Sequence, residues 1–455
     1  MAPFNQRLSP LIKDTLSHFN KRERKGTKLV SSLVVWLVLA LTIRRDLNTH
    51  AVLDWMLSGW RWLSCSLPKQ LVADGTISHA RMRVGNEVFR HLFYRVVSTF
   101  KPITADFHQW VSVAFDGSTG KMPDTPANQK TFGKSNNQRK GSAYPQLRWV
   151  RLLAIGPRLL LDVAYGPYSG KGNGERSLMM QILKRLKRVN LLFMVDAGLY
   201  SFAMMDAIHQ QECAFLLKVS GHPSLPVLKR LNDGSYISEM SKMVDEPGQT
   251  SSTRKRKRRK KKTIKVRVIP YQIPGFRAAR LVTNILDTSI RAKALVLHYH
   301  KRWDIEVCFD EIKTHQCATL RGQMPTLFRS KRPELVVQEL YGMMIAYNLI
   351  RELMLEAAQN QQEALSLSFL DSLQFIIDAV PQMSKPNRND SLIEVQQRYL
   401  LSMLADARID RPRRPRVNPR VVKVKMSKFK RKTSKHKTQI RHLEKEVMII
   451  PPEAA

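Results

Sequence analysis

The chain has 455 residues, 43% of them hydrophobic, and its 76 Lys and Arg outnumber 37 Asp and Glu for a formal net charge of +39. That length and apolar content exclude a disordered chain or a disulfide-stapled miniature and allow two or three domains. The positive surplus is gathered in runs, which points to a polyanionic partner, nucleic acid above all, held through its phosphates.

Residues 1 to about 100 have Leu, Val and Trp at helical spacing and read as a small α-domain at 1–100 that contacts DNA. Its basic opening (Lys21, Arg22, Arg24, Lys25 and Lys28) is either a phosphate contact or a solvated face. The apolar run Leu29 to Ile43 is short for a bilayer and flanked by Lys28, Arg44 and Arg45, so a buried helix is expected and no membrane partner. Cys65, Cys213, Cys308 and Cys317 lack both paired zinc spacing and a disulfide pattern, which suits a reducing compartment.

From about Trp110 the apolar period changes. Val111 to Phe115 reads as a buried strand closed by a turn at Asp116-Gly117. A hairpin follows, Tyr144 to Ile155 and Arg158 to Tyr165, with its turn at Gly156-Pro157. Next come a helix over Glu175 to Arg188, a strand over Leu191 to Val195 ending at Asp196, a helix from Ser201 and a strand near Phe215 to Val219. That order predicts an α/β fold with a mixed sheet, its core split into segments at 105–220 and 281–330. Residues 221–280 interrupt it and contain Arg254, Lys255, Arg256, Lys257, Arg258, Arg259, Lys260, Lys261 and Lys262, expected to form a mobile phosphate-gripping loop. Arg280 to Leu286 reads as a last strand. Helices are expected over Pro333 to Glu356 and Phe369 to Val380, within a helical region at 331–405 suited to dimerisation. The basic tail at 406–455 carries Arg413, Arg414, Arg416, Arg420, Lys428, Lys430, Arg431 and Lys432.

Chemistry concentrates between Tyr299 and Lys313. On one continuous α-helix, at about 100° per residue, Tyr299, Arg302, Glu306 and Lys313 share a polar stripe roughly 60° wide, beside an apolar sector of Ile305, Phe309 and Ile312. A carboxylate flanked by two cations suits a metal ion and a phosphate together. Asp116 and Asp196 each close an apolar strand, where open α/β sheets place their crevices. With Glu306 they make a set of hard oxygen donors for two Mg2+ ions, Mn2+ being able to substitute, and for in-line phosphoryl transfer. Asp124 and Asp310 are rival carboxylates. The plain alternatives are a turn aspartate at each strand end and surface ion pairs of Glu306 with Arg302 and Lys313.

These residues resemble the bacterial insertion-sequence transposases of the DDE class, insertion-sequence family four. The family's signature of Tyr, two residues, Arg, three residues, Glu, six residues and Lys is met by Tyr299, Arg302, Glu306 and Lys313. Around the first acid, Asp116 to Thr119, Pro123 to Pro126 and Phe132-Gly133 look like the family's blocks. Around the second, Asp196 to Ser201 is similar, with Ala197 where an arginine usually stands. The resemblance implies a ribonuclease-H-like core with helical N- and C-terminal regions and a β-rich insertion between Asp196 and Glu306. It also implies catalytic, metal-binding Asp116, Asp196 and Glu306. Arg302 and Lys313 are expected on phosphates near the scissile bond and Tyr299 on a phosphate close by. Trp303 is a candidate either to stack on an unpaired base or to pack in the core. The implied partners are double-stranded DNA, as terminal inverted repeats and as target, and a second copy in a homodimeric synaptic complex, in the bacterial cytoplasm at the nucleoid. The implied reaction is excision through a hairpin followed by strand transfer. Two other readings fit the same residues: a nuclease that hydrolyses without joining, and a non-catalytic DNA-binding derivative.

Overall fold

The computed structural model describes residues 2–21, 26–63, 72–135, 144–219, 224–245, 259–274, 276–317, 327–358, 361–383, 390–409 and 442–452. In chain order it opens with five helices: α1 (Asn5–His18), α2 (Ser31–Ile43), α3 (Thr49–Leu63), α4 (Asp74–Val84) and α5 (Asn86–Ser98). Then come β1 (Val111–Lys121), α6 (Pro126–Phe132), the hairpin β2 (Gln146–Ala154) and β3 (Leu159–Pro167), α7 (Glu175–Arg185), β4 (Leu191–Val195), α8 (Phe202–Gln210) and β5 (Ala214–Val219). Four more strands follow: β6 (Lys229–Arg230), β7 (Tyr236–Asp245), β8 (Arg259–Gln272) and β9 (Ala279–Thr283). The chain continues through α9 (Ala292–Tyr299), α10 (Asp304–Asp310), α11 (Pro333–Ala357), α12 (Gln361–Ala364), α13 (Phe369–Met383), α14 (Asp390–Asp406), α15 (Leu443–Glu446) and β10 (Met448–Ile449). The strands hydrogen-bond in the order β3-β2-β1-β4-β5-β9-β8-β7-β6, with β10 on β8, so the fold is a mixed α/β sheet with helical terminal regions.

Two compact units divide the chain, one of residues 1–104, 115–184 and 304–410, the other of 105–114, 185–303 and 411–455. In the first unit α2 is apolar all round and nearly every residue of it is buried, as a helix without a polar face must be. It lies close along α11: a Cβ on Gly342 would stand 3.1 Å from Val38 Cγ1. The run expected to form a buried helix does so, and among the described residues no helix is long and apolar enough to cross a membrane. The hairpin β2-β3 pairs antiparallel with an irregularity between Leu152 and Leu153. Thr125 caps α6 by accepting from Asn128 N at 3.3 Å, with Pro126 preset for the first helical turn.

In the second unit Val111–Ala114 pairs parallel with Leu191–Met194, and β4 pairs parallel with β5. All five residues of β4 are buried, the continuous apolar pattern of a strand covered on both faces. Antiparallel pairings then carry the order from β5 to β9, β8 and β7. Arg267 of β8 is wholly buried, donating Nε to Ser235 Oγ and Nη1 to the Asp287 and Ile290 carbonyls, and pairing with Asp233. Asp233 also accepts from Ala292 N at 2.7 Å, so this cluster fixes the start of α9.

Two expectations are corrected. The basic run does not form one mobile loop: Arg259 to Lys262 open β8, opposite Asp245 to Lys242 of β7, and Lys262 Nζ donates to Asp206 Oδ2 at 2.6 Å. An ion pair with α8 makes that end of the run compatible with strand pairing. Arg254, Lys255, Arg256, Lys257 and Arg258 lie outside the described residues, as do Arg22, Arg24, Lys25 and the basic tail residues 413–432. The stretch from Tyr299 to Lys313 is not one α-helix either. It passes from α9 through a 3-10 turn at His300–Trp303 into α10 and then a π-helical turn at Glu311–Gln316.

Candidate active site

Asp116 does not end its strand. β1 continues through Lys121, and the Asp116-Gly117 pair sits inside it. The flexible Glu175 side chain occupies the space that a Cβ on Gly117 would take and would have to shift to admit a larger residue there. Gly117 N donates to Asp116 Oδ1 at 2.8 Å, which draws the carboxylate against its own backbone. Two residues on, and so on the same face of the strand, Ser118 Oγ accepts from Lys313 Nζ.

Lys313 lies within the π-helical turn, a helix form that concentrates at functional sites. Its ammonium is 5.3 Å from the Phe309 ring centre, and the Arg151 guanidinium stacks on the same ring at 3.5 Å. Arg151 is completely buried on β2; among the described residues its Nε and Nη2 have no hydrogen-bond partner, and its Nη1 is 4.0 Å from Cys308 Sγ. Burial pushes its pKa down, against the pull of Cys308, Tyr347 and Asp116. Glu306 stands exposed in the first turn of α10. The residues flanking it, Asp304 and Glu311, are buried and both pair with Arg158, at 2.9 and 3.0 Å.

In the second unit Asp196 follows β4 directly, and the side chain is 48% exposed. Arg302 Nη2 lies 3.7 Å from its Oδ1. Tyr299 is placed differently from the phosphate contact expected of it: only 4% exposed, it donates its hydroxyl to the Val195 carbonyl at 3.0 Å. Burial pushes its pKa up, with Arg302 pulling the other way. Tyr271 of β8, also buried, is pushed up to about 12, again with Arg302 opposing. Trp303 is not in the core; it is 45% exposed, with the Arg302 guanidinium 5.8 Å from its ring.

The structure therefore brings Lys313 to the strand of Asp116 and brings Arg302 and Tyr299 to Asp196 or the residue before it. It does not set Tyr299, Arg302, Glu306 and Lys313 in one helical stripe. The rival acids are otherwise engaged. Asp124 pairs with Lys134 at 2.8 Å and accepts from Gln129, the Lys134 bond holding its carboxyl below the usual range. Asp310 faces His315 at 3.6 Å. Arg151, Arg158, Asp304 and Glu311 carried no signal of their own in a chain so rich in charge. Among the described residues no group of three His, Cys, Asp or Glu is close enough to hold a metal ion. The donor chemistry nonetheless fits a hard divalent cation: Asp196 and Glu306 present carboxylate oxygens to solvent and Asp116 is half-buried.

The Transposase DDE domain family matches residues 111–349, more than half of the sequence, and the chain belongs to that family. Its N-terminal residues 6–94 match the Insertion element 4 transposase N-terminal family, which makes it a DDE transposase of the insertion element 4 type. It is 26% identical over 432 residues to the Transposase InsG for insertion sequence element IS4 of Escherichia coli (strain K12), covering 92% of this chain and 91% of that one. Among solved structures, the cryo-EM structure of the piggyBac transposase synaptic complex with hairpin DNA is similar at a TM-score of 0.43 and 10% identity, over 88% of this chain and 83% of that one. Membership of the DDE family makes the chain an enzyme of DNA cleavage and transfer and implies dependence on divalent metal.

Proposed function

We propose that the chain cleaves DNA at the terminal inverted repeats of an insertion sequence and joins the freed ends to target DNA by a cut-and-paste route through a hairpin. Asp116, Asp196 and Glu306 are the catalytic acids and would hold two Mg2+ ions, with Mn2+ able to replace them. When bound, the ions supply activation of the attacking oxygen and stabilisation of the leaving one. The protein's own part is placement. Lys313, tied to Ser118, directs a cation at the strand of the first acid, and Arg302 directs one at the second. Both are suited to receive phosphate oxygens on either side of the scissile bond. Exposed Trp303 offers a ring for an unpaired base, which a hairpin requires. Arg254 to Arg259 and the other basic runs supply phosphate contacts, and two copies act together on paired ends.

The observation that carries this reading is the approach of Arg302 to the Asp196 carboxylate at 3.7 Å, beside a carboxylate that remains half exposed. The Asp196 oxygens are left reachable by a metal ion, with a guanidinium beside them. The test compares Asp116→Asn and Asp196→Asn with the native chain. Calcium, with its looser coordination, should support DNA binding without turnover. Both variants should bind repeat DNA in calcium as the native chain does and fail to nick it in magnesium. Nicking by either variant at the native rate removes that residue from the catalytic set.

A further inference from the structure

The acid proposed for the metal is exposed and stands on a helix of seven residues, held between a 3-10 turn and a π-helical turn. A helix this short does not hold itself. What holds α10 is a buried ion network that brackets Glu306 on both sides. Arg158 Nη2 reaches Asp304 Oδ1 at 2.9 Å, two residues before Glu306, and Nη1 reaches Glu311 Oε1 at 3.0 Å, five residues after it. All three side chains are less than a tenth exposed. From α11, Tyr347 donates its hydroxyl to Glu311 Oε2 at 2.8 Å, and Arg351 Nη1 stands 3.8 Å from Glu311 Oε1.

Arg158 comes from the turn between β2 and β3, where its φ is +54°, a left-handed conformation that a non-glycine residue rarely adopts. Glycine or asparagine would take that turn with less strain, so what arginine adds here is its side chain. The turn is held from the other side as well, since Arg351 Nη2 donates to the Pro157 carbonyl at 3.3 Å. The planar guanidinium meets the two carboxylates from two separate nitrogens held at a fixed angle, whereas a lysine offers one nitrogen on a shorter, flexible stem.

We propose that Arg158 is a positioning residue for the active site, setting the height and rotation of α10 so that Glu306 meets the metal at the geometry its neighbours demand. This rests on Glu306 being a metal ligand. Arg158 touches neither metal nor DNA; it acts through the helix, as the partners behind metal ligands commonly do, and their loss typically costs about 10–100-fold in metal affinity or activity.

The test uses the full-length Arg158→Lys protein, which keeps the charge and loses the fork, beside the native chain. Mn2+ affinity is read by electron paramagnetic resonance of the free ion, folding by thermal melting, and DNA binding by gel retardation in calcium. The expected result is a folded variant with native DNA binding whose Mn2+ dissociation constant rises about tenfold or more, and whose cleavage is partly rescued by raised Mn2+. An unchanged Mn2+ constant in the folded variant overturns the proposal. Should Arg158→Lys not fold, Asp304→Asn removes the charge from one arm of the network at equal volume and is held to the same criterion. Glu306→Gln separates the two layers. If it leaves Mn2+ affinity unchanged, Glu306 is not a ligand and the role of Arg158 falls with it. If it weakens binding, adding Arg158→Lys to it should weaken binding no further; a second tenfold loss would show Arg158 acting on another ligand and overturn the assignment to Glu306.

Discussion

Replacing Tyr299 by Phe removes one oxygen and little else, because the ring is already 96% enclosed and its replacement fills the same volume. The oxygen donates to the Val195 carbonyl at 3.0 Å, and Val195 ends the strand that presents Asp196. Losing the donor deprives a buried carbonyl of its hydroxyl partner, which costs about 1–3 kcal/mol. The loss should therefore appear as stability. A phosphate contact would behave otherwise: losing one lowers DNA affinity across all sequences and reduces the slope of log affinity against log salt, by up to about one unit for a cationic contact. Urea unfolding and gel retardation across a salt series separate the two. The structure predicts a lower urea midpoint, an unchanged salt slope, and slower cleavage if the end of β4 loosens beneath Asp196. Native stability combined with a reduced slope would instead place the Tyr299 hydroxyl on the DNA.

A half-buried carboxyl and a buried imidazole make stability depend on pH in opposite directions. Burial raises Glu352 of α11 from its ordinary 4.5 to about 7, with Arg7 and Lys101 opposing and Glu356 adding. The native state then holds a proton that the unfolded chain releases, so stability is full below pH 4.5 and falls as pH rises to 7, by about 1–3 kcal/mol. Glu352→Gln, neutral throughout, should abolish that fall in urea midpoints measured from pH 4.5 to 8; an identical fall in the variant assigns it elsewhere. Burial, with Lys301 and His108 adding, lowers His298 to about 3. It is enclosed by Phe107, stacked at 4.1 Å, with Ser112 Oγ at 2.6 Å and Asp106 at 3.9 Å. Here the unfolded chain takes up the proton first, so stability present above pH 6.5 is lost as pH falls toward 3, by roughly 2–3 kcal/mol at pH 4. His298→Gln should show a shallower acid limb in the same titration, and a limb as steep as the native one would exclude His298 as its source.

Most strands were legible because each is a short apolar run bounded by turn residues, as β4 and the β2-β3 hairpin show. The end of β1 was not. An Asp-Gly pair has the chemistry of a turn, and nothing local reveals that the strand runs on through it with the Glu175 side chain of α7 packed over Gly117. The stretch from Tyr299 to Lys313 misled for a different reason. A stripe drawn at about 100° per residue assumes one helix type, whereas 3-10 and π-helical turns intervene and send Tyr299 inward and Lys313 toward β1. The acids of the candidate site emerged as strand-end and helix-face residues and were singled out by the spacing of the family signature. The side chains behind them stayed hidden. Arg151, Arg158, Arg267 and Arg351 look like any of the chain's 76 basic residues, yet all four are buried. What distinguishes a buried guanidinium is the carboxylate or carbonyl it meets, usually far along the chain, and no composition or period records that.

The proposed function depends above all on Glu306 as part of a metal-dependent cleavage site. Its most direct test is a denaturing gel of linear DNA carrying the repeats that flank the gene, incubated in magnesium with the native chain and with Glu306→Gln. The native chain should give nicks at the repeat boundary and hairpin-sized products, and the variant neither, although it still retards the DNA. The same products from Glu306→Gln, or none from either protein on DNA that both retain, would contradict it.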